Sequence, residues 1–378
     1  MAGAAGRRRI GLIVNPIAGM GGRVGLKGTD GLDIVARAVA KGARPEAGRR
    51  AAEALGSLAG LKDRIEVLTY PDEMGEHVVR AAGFACSVLG SIRSGQTTPE
   101  DTRRAAQDLE AAGVELLLFS GGDGTARDIC AAVGDRLPVL GIPAGVKMHS
   151  AVFGISPRRA GELAALYLEG KIRGTREAEV MDIDEEAFRH ERVCAKLYGY
   201  LRVPAEPRLV QGVKAGGGGG GEASALRGIA LDVTSRMEPG VAYLIGPGTT
   251  TREILHVLGL SGTLLGVDVV VDRRIEAADA DERVLLETVE RMPARIVVSV
   301  IGGQGYLFGR GNQQLSPRVL AQVGKENVIV TATPGKIFSL RGQPLLVDTG
   351  DPDVDRMLTG YVQIVTGLKE RLVYPVAC

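Results

Sequence analysis

The chain has 378 residues, enough for two domains rather than one. Its 45% hydrophobic and 24% charged residues are those of an ordinary globular protein, and no apolar run reaches the about 18 residues that a membrane helix needs. A net charge of +1, with 4% aromatic residues and no tryptophan, excludes a basic nucleic-acid footprint and a base-stacking platform.

The four cysteines, Cys86, Cys130, Cys194 and Cys378, show no CxxC spacing, so buried free thiols fit better than a disulfide framework or a zinc site. The apolar run after Arg7-Arg8-Arg9 stops at Asn15-Pro16, too short for a secretory signal, so a cytoplasmic location is expected.

Ile10 to Val14 reads as a first strand running into Asn15-Pro16 and a glycine-rich loop that includes Gly19. Helix composition at Pro45 to Ala59, a strand at Ile65 to Leu68, a helix at Met74 to Ala82 and a strand at Phe84 to Leu89 follow. Thr98 to Ala112 predicts a helix with Thr98 as N-cap, Pro99 at its first position and acids in its first turn. Val114 to Phe119 is an apolar run with the character of a buried parallel strand. It feeds Gly121-Gly122-Asp123-Gly124-Thr125 and then a helix over Ala126 to Val133.

The glycines there would let the backbone take positive φ and admit a ligand closely, and the helix N-terminus behind them suits an anion. A carboxylate in a phosphate cradle is repulsive unless it works as a base or binds Mg²⁺, which marks Asp123. Thr125 and Asp128 match a capping box, with ligand contact also open to both.

Leu137 to Ile142 is the next strand, ending in a third loop at the same edge that carries Gly145, Lys147, His149 and Ser150. Lys147 and His149 could meet phosphate charge or a ribose. Ser156-Pro157 starts a helix to about Glu169. Strands and helices alternating at this spacing predict a parallel sheet with helices on both faces, where ligands bind beyond the carboxyl ends of the strands.

From Glu179 the character changes to two strands, Val180 to Glu185 and Arg192 to Val203, and a mobile glycine-rich loop is expected at residues 206–222. A helix (Ala223 to Arg236) and a strand (Val241 to Ile245) lead into Gly246-Pro247-Gly248-Thr249-Thr250-Thr251, which could bind a second phosphate group at the start of a helix. Further alternation reaches a strand at Arg295 to Val300 and the loop Gly302-Gly303-Gln304-Gly305-Tyr306. Ser316-Pro317 then opens a helix, Val328 to Ala332 and Pro344 to Val347 read as strands, and a last helix is expected to run to about Leu368.

Asn15-Pro16, Gly121 to Thr125 and Pro143-Ala144-Gly145 together resemble the ATP-NAD kinase superfamily and its diacylglycerol and sphingoid kinase relatives. Those relatives share an N-P-x-x-G opening, the GGDGT motif and a P-x-G-T-x-N-D loop, whose final Asn-Asp is missing here. Gly302 to Tyr306 is similar to the NAD kinase segment that helps to hold the dinucleotide, with Tyr306 matching its tyrosine. The branch most resembled is that of the acetoin-catabolism protein X, through Met181-Asp182-Ile183-Asp184-Glu185, Gly246 to Arg252 and Asp348 to Pro352.

The resemblance implies an α/β fold with a nucleotide-binding domain at residues 1–175, completed by 345–378, and a second domain of mixed α and β at 176–344. It implies MgATP-dependent phosphorylation of a ribose hydroxyl of NAD or NADH, with Asp123 as base, small-molecule nucleotides as partners and a homo-oligomer. A kinase of another small-molecule or lipid hydroxyl, or a non-catalytic NAD/ATP-binding regulator, remain the alternatives.

Overall fold

The computed structural model describes residues 7–22, 24, 38–145, 148–183, 195–206, 220–301 and 304–378. They form two compact units, the first taking in Arg44–Val213 with most of the preceding chain and the second Lys214–Cys378.

In the first unit β1 (Arg8–Val14), α1 (Ala47–Ser57), β2 (Ile65–Thr69), α2 (Glu76–Ala81), β3 (Ala85–Val88), α3 (Pro99–Ala111), β4 (Leu116–Gly121), α4 (Asp123–Val133), β5 (Val139–Pro143) and α5 (Pro157–Leu168) alternate. The strands make one parallel sheet in the order β3-β2-β1-β4-β5. Side chains alternate across it, so Ile10, Leu12, Val14, Leu116 and Leu118 pack under α1 and α5. Ile13, Leu117, Phe119 and Val139 pack on the other face, under α3 and α4. The apolar runs are continuous because both faces are covered. The chain grows outward from β1 to β3, then restarts at β4, so the order reverses between β1 and β4. Such a switch point is where open α/β sheets leave a crevice for ligands.

β6 (Thr175–Ile183) and β7 (Ala195–Pro204) pair antiparallel and belong to the first unit. Their apolar side chains Ala178, Val180, Leu201 and Val203 join the core beneath α4. The domain boundary expected at residue 175 therefore moves beyond this ribbon, because its apolar face is buried there.

The second unit holds α6 (Gly220–Ser235), β8 (Ala242–Ile245), α7 (Thr249–Val257), β9 (Asp268–Val271), β10 (Arg274–Ala277), α8 (Glu282–Arg291), β11 (Ala294–Ser299), β12 (Tyr306–Phe308), α9 (Pro317–Val323), β13 (Val328–Thr331), α10 (Pro334–Ser339), β14 (Leu345–Val347), α11 (Pro352–Leu358), β15 (Gly360–Gly367) and β16 (Glu370–Ala377). Among the described residues its mixed sheet runs β10-β9-β8-β11-β13-β15-β16-β14-β12. The long last helix expected from the sequence stops at Leu358, and a β-hairpin follows. Gly360-Tyr361-Val362-Gln363-Ile364-Val365 has the β-branched, alternating character of a strand, with Ile364 inward and Tyr361 outward.

The same pairing corrects a second expectation. Residues 345–378 do not return to the first unit, because β14 and β16 pair with each other and β15 pairs with β13 inside the second sheet. Of the glycine-rich loop expected at 206–222, residues 207–219 lie outside the described residues, while Gly220 and Gly221 already begin α6. No helix among the described residues is long and apolar enough to cross a membrane.

Candidate active site

The first-unit candidates gather at the β1/β4 switch point. Asn15 follows β1, its side-chain oxygen accepts from the Ile17 N–H at 3.2 Å, and its Nδ2 donates to Thr125 Oγ1 at 2.9 Å. That bond ties the end of β1 to the first turn of α4 across the point where strand order reverses. Pro16 begins the turn after Asn15. Gly19 has φ +80°, and a Cβ there would come within 2.2 Å of the Ala144 carbonyl oxygen, so the first loop lies against the third.

The GGDGT glycines serve a different purpose from the one expected. None of Gly121, Gly122 and Gly124 has a left-handed backbone. Gly122 is the extended N-cap of α4, and a Cβ on it would sit 3.2 Å from Gly145 Cα. A Cβ on Gly145 would sit 2.8 Å from Gly122 Cα. Backbone meets backbone here, and the Ala144 and Gly145 N–H groups both donate to the Gly121 carbonyl, at 2.9 and 3.1 Å. Glycine is needed for close approach, and Gly124 simply lies in the first turn of the helix.

This contact delivers the third loop onto Asp123, which opens α4 and is 7% exposed. Its Oδ2 accepts from the His149 N–H at 2.7 Å and faces His149 Nδ1 at 3.2 Å. Its Oδ1 accepts from the Ser150 N–H at 3.0 Å and the Ser150 hydroxyl at 2.6 Å. Ser150 Oγ in turn accepts from the Met181 N–H at 2.9 Å, so β6 braces the loop from behind. The carboxylate also lies at the positive end of α4, which favours its charge.

Asp128 and Thr125 do not form the capping box that the sequence suggested, because α4 begins at Asp123 and Thr125 sits inside its first turn. Asp128, one turn further, pairs with Arg103 of α3, whose Nε and Nη2 lie 3.2 and 3.1 Å from Oδ1. The Asp128 bonds raise the Arg103 guanidinium above its ordinary pKa. Asp128 thus joins two helices. Arg50, which sequence reasoning missed, is buried on α1 and donates to the Pro143 carbonyl at 3.3 Å, fixing the start of the third loop. Nothing in an Ala-Arg-rich helix singles it out. Lys147 lies outside the described residues.

The second-unit candidates divide. Gly248, with φ +132°, is the N-cap of α7, and Thr249 is exposed. Thr251 is buried and donates back to the Gly248 carbonyl at 3.0 Å. Thr250 is buried too, and the Lys336 ammonium donates to its hydroxyl at 2.9 Å and to Ser299 Oγ at 2.8 Å. Ser299 ends β11 and Lys336 lies on α10 just after β13, so this cluster sits at the carboxyl edge of parallel strands β8, β11 and β13. Lys336 and Ser299 were not foreseen. The one signal for the lysine is the capped Thr333-Pro334-Gly335-Lys336 turn.

Gly302 and Gly303 lie outside the described residues. Gln304 is buried, and Gly305, at φ +76°, turns the chain into β12. The Tyr306 ring, expected at the dinucleotide, is 1% exposed, with the Arg310 guanidinium over its face at 4.8 Å. Arg310 pairs with buried Asp348 at 2.9 Å. Tyr306 is therefore a core residue in this structure.

The GGDGT turn thus places a buried aspartate at the switch point of a parallel α/β sheet. The model for the ATP-NAD kinase N-terminal domain matches residues 10–172 and the model for the ATP-NAD kinase C-terminal domain matches 238–376. Between them they span most of the chain, which belongs to the ATP-NAD kinase superfamily. That family indicates a kinase-type phosphotransferase. No curated protein and no solved structure matches the chain.

Proposed function

We propose that this chain transfers the γ-phosphoryl group of ATP to a ribose hydroxyl of NAD or NADH, giving NADP or NADPH. The observation that carries the reading is Asp123, buried at the switch point and held by the loop that follows β5, in a chain whose two halves both match NAD kinase domains. Phosphoryl transfer is largely positioning and charge stabilisation, so a fixed anion beside N–H groups at a helix start supplies what the protein must provide.

Asn15, Pro16, Gly19, Gly121, Gly122, Gly124, Thr125, Gly145, Lys147, His149 and Ser150 are the residues proposed to surround the phosphates and the reacting hydroxyl. Gly248 to Thr251, with Lys336 and Ser299, are proposed to take a further phosphate. Among the described residues no group of three His, Cys, Asp or Glu could hold a metal ion. Mg²⁺ would arrive with ATP, held by its phosphates. The compartment proposed is the cytoplasm, and a homo-oligomer is the proposed assembly.

The test incubates the purified full chain with MgATP and, separately, NAD, NADH and a panel of other hydroxyl acceptors, with products identified by mass. Phosphorylated dinucleotide is the expected product, and Asp123→Asn is expected to lower turnover by about 10²–10⁴. A chain that binds the dinucleotide without any turnover would instead be a nucleotide-responsive regulator. Full turnover in the Asp123→Asn variant would remove Asp123 from the chemistry.

A further inference from the structure

The second unit carries a cavity of about 520 Å³ that none of the candidate site residues lines. It arises from the way α6 crosses the sheet. Gly228 of α6 lies against the turn after β15, where an added Cβ would meet the Leu368 nitrogen at 2.9 Å. Past the helix end, Glu238 pairs at 2.7 Å with Arg295, near the start of β11. The helix therefore runs obliquely and leaves the amino ends of β11, β13 and β15 open on that face.

Alternation along the strands sets what the opening shows. Val297 and Val365 pack under α6 and α7, so Arg295, Gln363 and Tyr361 stand on the same side of the sheet. Ile329 and Val365 make an apolar floor, and Tyr361 beside it is 72% exposed. A tyrosine ring left in water offers a face on which a planar group can stack.

Four cations, Arg236, Arg295, Lys325 and Arg371, line the same cavity. Their partners do not balance them. One carboxylate, Asp232, is shared by Arg371 and by Arg236, which reaches it through Nε at 3.3 Å. Glu238 answers Arg295, while Lys325 donates to the neutral Thr359 carbonyl. The other lining acid, Glu326, is exposed and turned toward Gly324. A guanidinium has five N–H donors, so among the described residues Arg236 keeps both Nη groups for an anion. The phosphate subsite proposed at Ser299 is at the opposite end of β11, four residues from Arg295 and about 13 Å away.

We propose that this cavity is a second binding site, for a planar small molecule of nucleoside monophosphate size that carries a phosphate. Arg236 and Lys325 take the phosphate, Tyr361 stacks on the ring, and the Gln363 amide bonds its polar edge. The volume lies within the about 300–1,000 Å³ of small-molecule sites. This site stands whether or not Asp123 drives phosphotransfer.

The chain contains no tryptophan, so Tyr361→Trp in the full chain puts a single such fluorophore at the cavity. AMP should change its emission saturably, with Kd below about 1 mM. Adenosine lacks the anion and ribose 5-phosphate lacks the ring, and each should bind at least about tenfold more weakly. In the same background Arg236→Gln and Lys325→Gln should each weaken AMP about tenfold. Both should melt close to the parent, because the Arg236 side chain is 61% exposed and glutamine keeps a donor for the Thr359 carbonyl.

The proposal is overturned if AMP gives no saturable change, or if adenosine or ribose 5-phosphate matches it. A response that survives both charge removals would place AMP elsewhere and overturns it too. Emission that is blue-shifted without ligand and depends on chain concentration would show a second copy covering Tyr361, again overturning the proposal.

Discussion

Gly145→Ala isolates the contact on which the site depends. Gly145 has no left-handed backbone, so alanine is conformationally acceptable there and only space is tested. Its new methyl would begin 2.8 Å from Gly122 Cα and 3.1 Å from Met148 Cγ. Carbon atoms settle at about 3.5–4.0 Å, so the third loop must move off the GGDGT turn by about 0.7–1.2 Å. The His149 and Ser150 N–H bonds to Asp123, now 2.7 and 3.0 Å, would lengthen past about 3.4 Å and cease to hold the carboxylate. Overpacking of this kind costs about 1–3 kcal/mol, and a misplacement of about 1 Å at reacting groups costs about 10² in rate. The assay pairs thermal unfolding with kcat/KM for dinucleotide phosphorylation, and both should fall, the rate more than the stability. A variant with wild-type melting and wild-type turnover would show that the close approach of the two glycines does not set the site.

Asp128→Ala should cost about 1–2 kcal/mol by removing the Arg103 pair, since Arg103 is half in water, and should leave nucleotide affinity nearly unchanged. Loss of ATP binding in a folded variant would return Asp128 to the ligand. Asp232, 2% exposed on α6, accepts from the Lys369 N–H at 2.9 Å and pairs with Arg371 and Arg236, so it pins the β15–β16 turn. Burial alone would raise its carboxyl pKa, but Arg371, the Lys369 N–H and Arg236 together hold it below the usual carboxylate range. The stability it contributes is therefore present above its unfolded value, near about 3.9, and lost as pH falls through the lower folded value. Asp232→Asn should unfold at lower denaturant at neutral pH and show a shallower loss of stability into acid, which urea titrations at several pH values would measure.

Much of the local structure was legible because it is written locally. Thr98, Ser156 and Ser316 each cap a helix with proline following, as their spacing foretold, since a cap and the N–H groups it satisfies lie within one turn. The apolar runs announced a sheet covered on both faces, and GGDGT announced a ligand-bearing edge. Sequence could not say why the glycines are there, because the atom that excludes a Cβ from Gly122 belongs to Gly145. It paired Thr125 with Asp128 as a local box, whereas their partners are Asn15 and Arg103, far along the chain. It took Gly360 to Gly367 for helix despite the strand character of Tyr361 to Val365, a local signal that was passed over, while the β13 edge that β15 fills lies elsewhere in the chain.

It also named Asp123, His149 and Ser150 separately, without showing that one carboxylate holds the other two. The sequence by itself determined the elements, their caps and the chemical types available at one sheet edge. Tertiary structure alone decided which of those groups meet. Strand order brings the ends of β1, β4 and β5 side by side, and hydrogen bonds between such distant segments leave no trace in local composition.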